Sequence, residues 1–247
     1  MENDLNIENL ISDIDNKYKE LEQELGWSFL VTSKENLKKN CGIALITLNP
    51  GGCEKADSMG YFETGNAYCD EDWFCKKGEK ETRKGQAPLQ IQIQELFKKL
   101  ATKNISYPNY INLMNNSLMG YFIPFRSQSI SSLKNANQSR EFGKKLWSNI
   151  LENVDLKLII CIDKNTYSSI NEIICGLKYI KYFESELLPT GWGNINSEVR
   201  RYKKENKSIT IARLPHLSRY RIFNRGNPKF DSLIEDIIIE LTKDCSF

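Results

Sequence analysis

Three polar side chains near the ends of predicted strands could act together on a ligand. Asn49 opens an Asn-Pro-Gly-Gly turn directly after the apolar run 42–48. Asn112 lies within a second predicted strand, and His216 follows a last one. Parallel strands end at one edge of a sheet, and open α/β folds bind their ligands at that edge. An imidazole there can donate or accept a proton, and an amide offers donors and acceptors, so the three residues form a candidate site.

Asn49 and His216 also have ordinary structural explanations. An Asn-Pro-Gly-Gly turn ends a strand, since proline cannot donate to the ladder and glycine allows backbone angles closed to other residues. His216 is the only histidine of the chain, and a single histidine is more often a hydrogen-bonded structural group than part of a proton relay. Its context is unusual, because 215–221 combines the imidazole with an apolar residue, a hydroxyl and two guanidiniums.

The elements that must position these residues alternate along the chain. Strands buried on both faces carry continuous apolar runs, and helices carry apolar residues three or four positions apart. The predicted strands are 42–48, 110–114, 156–162 and 208–214, and the predicted helices are 5–25, 88–100, 139–154, 165–177 and 231–243. This alternation predicts an α/β fold of three layers, α/β/α, around a central, mostly parallel four-stranded sheet.

The chain shows no repeat or low-complexity linker, so we expect a single domain over residues 1–247. It would consist of an N-terminal helical extension, 1–40, and a core, 42–241. Within that core, 53–85 is rich in glycine, charged and aromatic residues and lacks periodicity. Long connections of this kind are often functional, and we interpret this one as a loop excursion over the end of the first strand.

Composition indicates an ordinary globular protein, with 40% hydrophobic and 27% charged residues. The chain lacks the roughly 18 consecutive apolar residues of a membrane span, and its acidic N-terminus lacks a signal-peptide core. We therefore expect a cytoplasmic monomer with no membrane partner. Seven cysteines without a CxxC pair favour free thiols. We expect no cofactor and no metal, although the spacing of Cys53, Cys69 and Cys75 leaves a metal site open.

Charge is distributed unevenly along the chain. Residues 200–229 contain ten basic residues and one acidic residue, a net charge of +9, which leaves −7 on the remainder. A cationic stretch on an acidic body is typical of proteins that bind phosphate-bearing partners. A solvated, lysine-rich loop explains 200–207 better than it explains the arginines that follow.

Four segments, in order, resemble motifs of the uracil-DNA glycosylase superfamily. The run 48–52 (Leu-Asn-Pro-Gly-Gly) is similar to the first active-site motif in its Asn-Pro-Gly form, and 215–218 (Pro-His-Leu-Ser) resembles the second, histidine-bearing motif. Between them, 110–113 with 123–127 resembles the family's second strand and its base-reading asparagine, and the predicted helix 139–154 leads into the third strand. The resemblance spans roughly 42–241, almost everything but the N-terminal helix.

The chain departs from the family pattern at several points. Asp163 and Lys164 stand where a glycine usually follows the third strand, and Leu217 replaces the usual proline of the second motif. The four-cysteine cluster pattern of some branches is absent, and 53–85 has no counterpart in the best-known members.

The resemblance implies a DNA glycosylase that flips a base out of the stack and hydrolyses its N-glycosidic bond. Asn49 would position the attacking water, and His216 would stabilise the departing base as an anion. The remaining residues are assigned to substrate binding (Pro50, Gly51, Tyr61, Phe62, Tyr68 and Asn112) and to DNA binding (Arg126, Leu217, Ser218, Arg219 and Arg221). Asn112 would read the pyrimidine edge, one of the three aromatic residues would stack on the base, and Leu217, exposed at a loop tip, would brace the gap.

The chemistry of these residues gives three further expectations. Asparagine cannot accept a proton as a carboxylate does, so we expect dissociative cleavage with weak water activation. No lysine is placed as a Schiff-base nucleophile, which predicts a monofunctional enzyme. Gly51 stands where the most uracil-selective branch has a tyrosine that blocks 5-substituents, so the pocket is expected to accept damaged or modified pyrimidines. These include the enlarged bases of phage DNA, with roles in DNA repair or anti-phage defence, and plain uracil stays open.

Two other functions remain open from the sequence. A domain of this kind could bind DNA or a modified base without cleaving it, and its salt-sensitive binding would then survive loss of Asn49 and His216. A hydrolase of free nucleotides or nucleosides would need neither Leu217 nor the arginines beside it.

Overall fold

The structure, a computed structural model, describes residues 5–37, 41–56, 60, 64–73, 83–103 and 106–245. Its helices are α1 (Ile7–Glu20), α2 (Ala67–Asp70), α3 (Pro88–Ala101), α4 (Tyr110–Asn115), α5 (Ala136–Asn153), α6 (Lys164–Gly176) and α7 (Asp231–Thr242). Its strands are β1 (Gly42–Thr47), β2 (Leu118–Tyr121), β3 (Leu156–Ile162), β4 (Ile180–Glu184), β5 (Leu188–Trp192), β6 (Ile195–Lys204) and β7 (Lys207–Leu214). Of the helices just named, none has the length and hydropathy required to cross a bilayer.

One mixed sheet runs through the described residues in the order β2-β1-β3-β7-β6-β4, and β5 pairs with β6. The strands β2, β1, β3 and β7 are parallel to one another. Strand β6 is antiparallel to β7, and both β4 and β5 are antiparallel to β6. The predicted α/β class is therefore confirmed, but the sheet has seven described strands instead of four.

Alternate residues of β1 enter two separate cores, which produces the layers. Ala44 and Ile46 belong to a core that also contains residues of α1, α5 and α6. Ile43 and Leu45 belong to the opposite core, with residues of α3 and α7. A strand covered on both faces needs apolar residues at every position, which explains its continuous apolar run. The N-terminal helix α1 contributes its buried face to the first of these cores.

The prediction of a strand at 110–114 is wrong, because these residues form helix α4. The side chain of Asn109 caps this helix by accepting a hydrogen bond from the backbone N–H two residues on, at 2.9 Å. So short an apolar segment fits a helix turn as well as a strand. The second strand is β2, where a Cβ on Gly120 would lie 2.7 Å from the carbonyl oxygen of Phe29. Glycine is needed there for close packing of the backbone, and it weakened the strand signal.

Residues 178–207, for which the sequence predicted neither a strand nor a helix, contain the whole of β4, β5 and β6. Strand β6 is half-buried although many of its residues are charged. Arg201 is 1% exposed, because its guanidinium forms ion pairs with Glu240 at 2.9 Å and Asp244 at 3.1 Å. It also lies 4.3 Å from the centre of the Phe183 ring. An arginine buried in this way gives no apolar signal in the sequence.

Candidate active site

Three polar residues follow the carboxyl ends of neighbouring parallel strands. Asn49 lies two residues beyond β1, Asp163 directly follows β3, and His216 lies two residues beyond β7. The strands are in register at this edge, and adjacent strands lie about 4.8 Å apart, so the ends of β1 and β7 are roughly 10 Å apart with β3 between them. The chain passes from β1 to β2 on one side and from β3 to β7 on the other, and open α/β sheets form ligand crevices at such switch points.

The side chain of Asn49 is held in place through its amide nitrogen. Nδ2 donates to Ser127 Oγ at 2.9 Å and to the carbonyl oxygens of Pro50, Ser127 and Phe125 at 3.0, 3.2 and 3.5 Å. Among the described residues, none donates a hydrogen bond to Oδ1, so this acceptor is free for a water or a ligand. The position requires an amide, because a carboxylate would face three carbonyl oxygens without a donor.

The turn after Asn49 is open on one side and covered on the other. Pro50 is buried and Gly51 is exposed, and a Cβ on Gly51 would meet nothing within 4 Å. Gly52 has a φ of +118°, and a Cβ there would lie 2.8 Å from Nη1 of Arg126. The guanidinium of Arg126, one of the predicted DNA-binding residues, therefore lies against the turn that carries Asn49.

Asp163 is a functional candidate that the sequence did not identify. It was noted there only because it stands where the family pattern usually has a glycine. Its φ of +128° and ψ of 164° lie in a region that almost only glycine adopts, at a cost of order 1–3 kcal/mol. Its carboxylate caps α6, accepting from Asn165 N at 2.7 Å, Thr166 N at 2.9 Å and Thr166 Oγ1 at 2.7 Å. Burial raises the pKa of this carboxyl above its ordinary value of 3.8, and the hydrogen bonds from Thr166 and Asn165 work in the opposite direction.

His216 is exposed, with Nδ1 2.8 Å from Ser218 Oγ. It lines a cavity of about 340 Å³ whose wall also includes Asp163, Lys164, Asn194, Asn196, Arg213 and Tyr220. This volume lies at the small end of the range for ligand sites. Two cations, one carboxylate and two amides suit a polar ligand. The structure thus brings His216 and Asp163 to one cavity, and Asn49 follows the adjacent strand without lining it.

Leu217 contradicts the expectation of an exposed loop tip. Its side chain is 0% exposed and belongs to the core on the α3 and α7 face of the sheet. The carbonyl oxygen of His216 accepts from Arg219 N at 3.0 Å and Tyr220 N at 2.9 Å. This turn directs His216 to solvent and Leu217 to the interior, so the prediction of an exposed apolar wedge is wrong.

Asn112 is not near the other two predicted polar residues. It is exposed on α4, which precedes β2 and therefore lies at the amino edge of the parallel strands. Asn49 and His216 lie at the carboxyl edge. The expected convergence of Asn112 with these residues is therefore wrong, and its cause is the helix in place of the predicted strand.

The aromatic residues predicted to stack on a base give no open face in the described part of the chain. Tyr68 is 1% exposed and packs edge-on against Trp73, with ring centres 5.3 Å apart. Its burial raises the pKa of the phenol. The structure thus assigns Tyr68 to the core. Tyr61 and Phe62 lie outside the described residues.

The other predicted DNA-binding residues, Ser218, Arg219 and Arg221, lie on the same loop as His216, residues 215–221, named here the His216 loop. Ser218 contacts the imidazole, as described above. Arg219 and Arg221 are exposed, and the guanidinium of Arg219 lies 5.5 Å from the centre of the Tyr220 ring.

A metal site has no support in the described part of the chain, where no group of three or more His, Cys, Asp or Glu residues could hold an ion. Cys53 is exposed and Cys69 half-buried, and burial raises the pKa of Cys69 to about 11. Cys75 lies outside the described residues.

Comparison with known proteins adds no family assignment. No protein-family model matches the chain, and no curated protein matches it. A function has to be inferred from its motifs and from the geometry of this sheet edge.

Proposed function

We propose that this protein hydrolyses the N-glycosidic bond of a damaged or modified pyrimidine in DNA. The observation that carries the proposal is that Asn49, Asp163 and His216 follow three adjacent parallel strands, and that Asp163 and His216 line a cavity of about 340 Å³. Hydrolysis needs a group that orients water, a group that accepts its proton and a donor that stabilises the departing base. The three residues offer one group for each task. The resemblance of the Asn49 turn and the His216 loop to glycosylase motifs adds support.

His216 acts on the base. When Ser218 Oγ–H donates to Nδ1 across 2.8 Å, the proton of the neutral ring is on Nε2, which then donates to a carbonyl oxygen of the base. As the C1′–N bond breaks, its electron pair moves to the base, and this hydrogen bond stabilises the resulting anion. One such donor is worth roughly 2.7–4 kcal/mol.

Asn49 and Asp163 act on the water. Oδ1 of Asn49, to which no residue in the described part of the chain donates, accepts one water hydrogen and so orients the water oxygen towards C1′. Asp163 takes the proton that the water loses as its oxygen bonds to C1′. A carboxylate has about four lone-pair sites, and the α6 cap uses three, which leaves one for water. Because burial raises its pKa, Asp163 is a stronger base than an ordinary carboxylate, and water activation is stronger than the asparagine motif alone predicts.

A second candidate, hydrolysis of a free nucleotide or nucleoside by the same residues, is favoured by one observation. Leu217 is buried, so the His216 loop lacks the apolar wedge that would fill the gap left by a flipped base. A free nucleotide leaves no such gap.

Oligonucleotides that contain uracil, hydroxymethyluracil, ethenocytosine or a phage-type 5-modified cytosine test the proposal. They are incubated with the protein as single strands and as duplexes, and alkali then converts abasic sites into breaks. The corresponding free nucleosides and nucleotides are assayed for base release in parallel. Breaks that vanish in Asp163→Asn and His216→Ala support DNA glycosylase activity. Base release from the free compounds alone supports the second candidate, and no release from any substrate refutes both.

A further inference from the structure

We infer that a surface next to the cavity binds single-stranded DNA by stacking its bases on Trp192. This surface, named here the Trp192 surface, consists of Trp192, Tyr220, Arg219, Arg221 and Arg225. The inference takes DNA as the ligand from the proposed function. Stacking would place a nucleotide chain beside the cavity without the apolar wedge that Leu217 fails to provide.

Trp192 is held in an exposed position by specific contacts. Its side chain is 40% exposed, and its Nε1 donates to the carbonyl oxygen of Arg221 at 3.3 Å. The guanidinium of Arg225 lies 4.3 Å from the centre of the indole and 4.1 Å from the Phe230 ring. Side chains so fixed lose little conformational entropy when a base stacks on them.

Gly191 permits this arrangement. Its φ is +74°, and a Cβ would lie 2.5 Å from both Arg225 Nη1 and Phe230 Cδ1. The carbonyl oxygen of Gly191 accepts from Nη1 and Nη2 of Arg225, each at 3.1 Å. Arg225 is therefore fixed beneath the indole, where it brings positive charge to the stacking surface.

The surface is continuous with the cavity. The rings of Trp192 and Tyr220 have centres 6.2 Å apart, and Tyr220 also lines the cavity beside His216. A DNA strand with a base stacked on Trp192 would thus pass over Tyr220 and reach the cavity.

Charge and aromatic character together indicate the ligand. The two segments that build the surface, 187–197 and 206–230, contain no acidic residue, and Arg219 and Arg221 are exposed. Exposed aromatic rings flanked by arginines are the usual means of binding unpaired nucleotides, whose bases offer free faces. Duplex DNA keeps its bases stacked internally, so a single strand is the fitting ligand.

Fluorescence anisotropy with a labelled, unmodified single-stranded oligonucleotide tests this inference. We expect Trp192→Ala to weaken binding by about 5- to 150-fold, the range for loss of one stacked base, and Trp192→Phe to retain most of the affinity. Tyr182→Ala is the matched control, because Tyr182 is 46% exposed on β4 with the ammonium of Lys203 5.8 Å from its ring centre. Replacing Arg219 or Arg221 with Gln should lower the slope of log affinity against log salt by about 0.7.

The inference is refuted if the wild type fails to bind the single strand, or if Trp192→Ala and Tyr182→Ala change affinity equally. Preferential binding of duplex, unaffected by Trp192→Ala, also refutes it. Thermal unfolding of Trp192→Ala and Trp192→Phe shows whether any loss reflects unfolding. Because the probe contains no cleavable base, absent excision with normal, Trp192-dependent binding would refute the proposed function and leave this inference standing.

Discussion

The sheet has a parallel part, strands β2, β1, β3 and β7, and an antiparallel part that includes β4 and β6. Polar side chains of the candidate site follow the carboxyl ends of the parallel strands, whereas the antiparallel strands carry their polar side chains along their length. At the parallel edge, Oδ1 of Asn49 has no donor among the described residues, and Asp163 adopts a strained backbone. In the antiparallel part, Arg200 pairs with Glu184 at 2.7 Å, and Arg201 pairs with Glu240 of α7 and with Asp244 beyond its end. Strain and free acceptors are typical of functional sites, and paired charges are typical of a structural surface.

This difference between the two parts of the sheet indicates which basic residues of 200–229 are suited to bind phosphate. Arg200, Arg201 and Arg213 all have acidic partners, at 2.7, 2.9 and 3.4 Å respectively, so three of the ten basic residues of 200–229 are paired within the protein. The exposed arginines of the His216 loop, Arg219 and Arg221, are the more suitable contacts for phosphate. We therefore expect mutations at the parallel edge to change activity, and mutations of the paired charges in the antiparallel part to change stability.

The largest expected effect is on turnover at the parallel edge. Asp163→Asn removes the proton acceptor, so we expect excision to fall by about 10²- to 10⁴-fold. Asparagine caps helices as well as aspartate does, so stability should hold. Single-turnover excision and urea unfolding measure the two quantities. An active Asp163→Asn would limit Asp163 to its capping role.

Asp163→Gly tests the backbone strain at position 163 separately from the role of the carboxylate in turnover. Glycine adopts a φ of +128° without cost, which relieves about 1–3 kcal/mol, and the loss of the cap and the greater chain entropy offset part of it. We expect a protein about 1 kcal/mol more stable than wild type and as inactive as Asp163→Asn. A destabilised variant would show that the backbone at 163 is not strained.

Loss of the base donor comes next. His216→Ala should slow excision by roughly 2.7–4 kcal/mol in activation free energy, about 100- to 1,000-fold, with little change in stability because the side chain is exposed. Ser218→Ala keeps the imidazole and removes its partner at 2.8 Å, so its effect should be smaller. Equal losses in both variants would assign the donor role to the pair instead of to the imidazole.

Asp163 also predicts a pH dependence. The carboxyl acts as a base only when ionised, and burial raises its pKa above 3.8. Activity should therefore fall tenfold per pH unit below this raised pKa, at a higher pH than an ordinary carboxylate would give. The folded state binds this proton more tightly than the unfolded chain, so protonation of Asp163 favours folding while it stops turnover. In Asp163→Asn the residual activity should lose this acid limb.

Asn49→Asp tests whether the amide is required by structure. The carboxylate would lose the contacts to the carbonyl oxygens of Pro50, Phe125 and Ser127, so we expect a loss of about 1–3 kcal/mol in unfolding free energy. Urea unfolding measures it, with Asn112→Asp on the exposed face of α4 as the control. Faster excision by a stable Asn49→Asp would assign water activation to this turn and not to Asp163.

The strands β1, β3 and β7 were predictable from sequence, whereas the parallel strand β2 and the antiparallel strands β4, β5 and β6 were not, for physical reasons. Parallel strands buried on both faces, such as β1 and β3, carry nearly continuous apolar runs, so their pattern is unambiguous. Strand β6 buries Arg201 through ion pairs with residues far along the chain, which no local pattern shows. At the site, strand ends located Asn49 and His216. The burial of Leu217 and the conformation of Asp163 depend on backbone turns that residue types did not specify.

The smallest expected effect belongs to the surface of the antiparallel part. Glu184 is 43% exposed, and its contacts with Lys181 and Arg200 lower the pKa of its carboxyl below 4.5. Solvent and salt screen such pairs, so Glu184→Gln should cost less than about 1 kcal/mol of unfolding free energy. The lowered pKa means that the contribution exists at neutral pH and is lost as the pH falls through the folded pKa. Excision should be unchanged, and a loss of activity in Glu184→Gln would show that the two parts of the sheet are coupled.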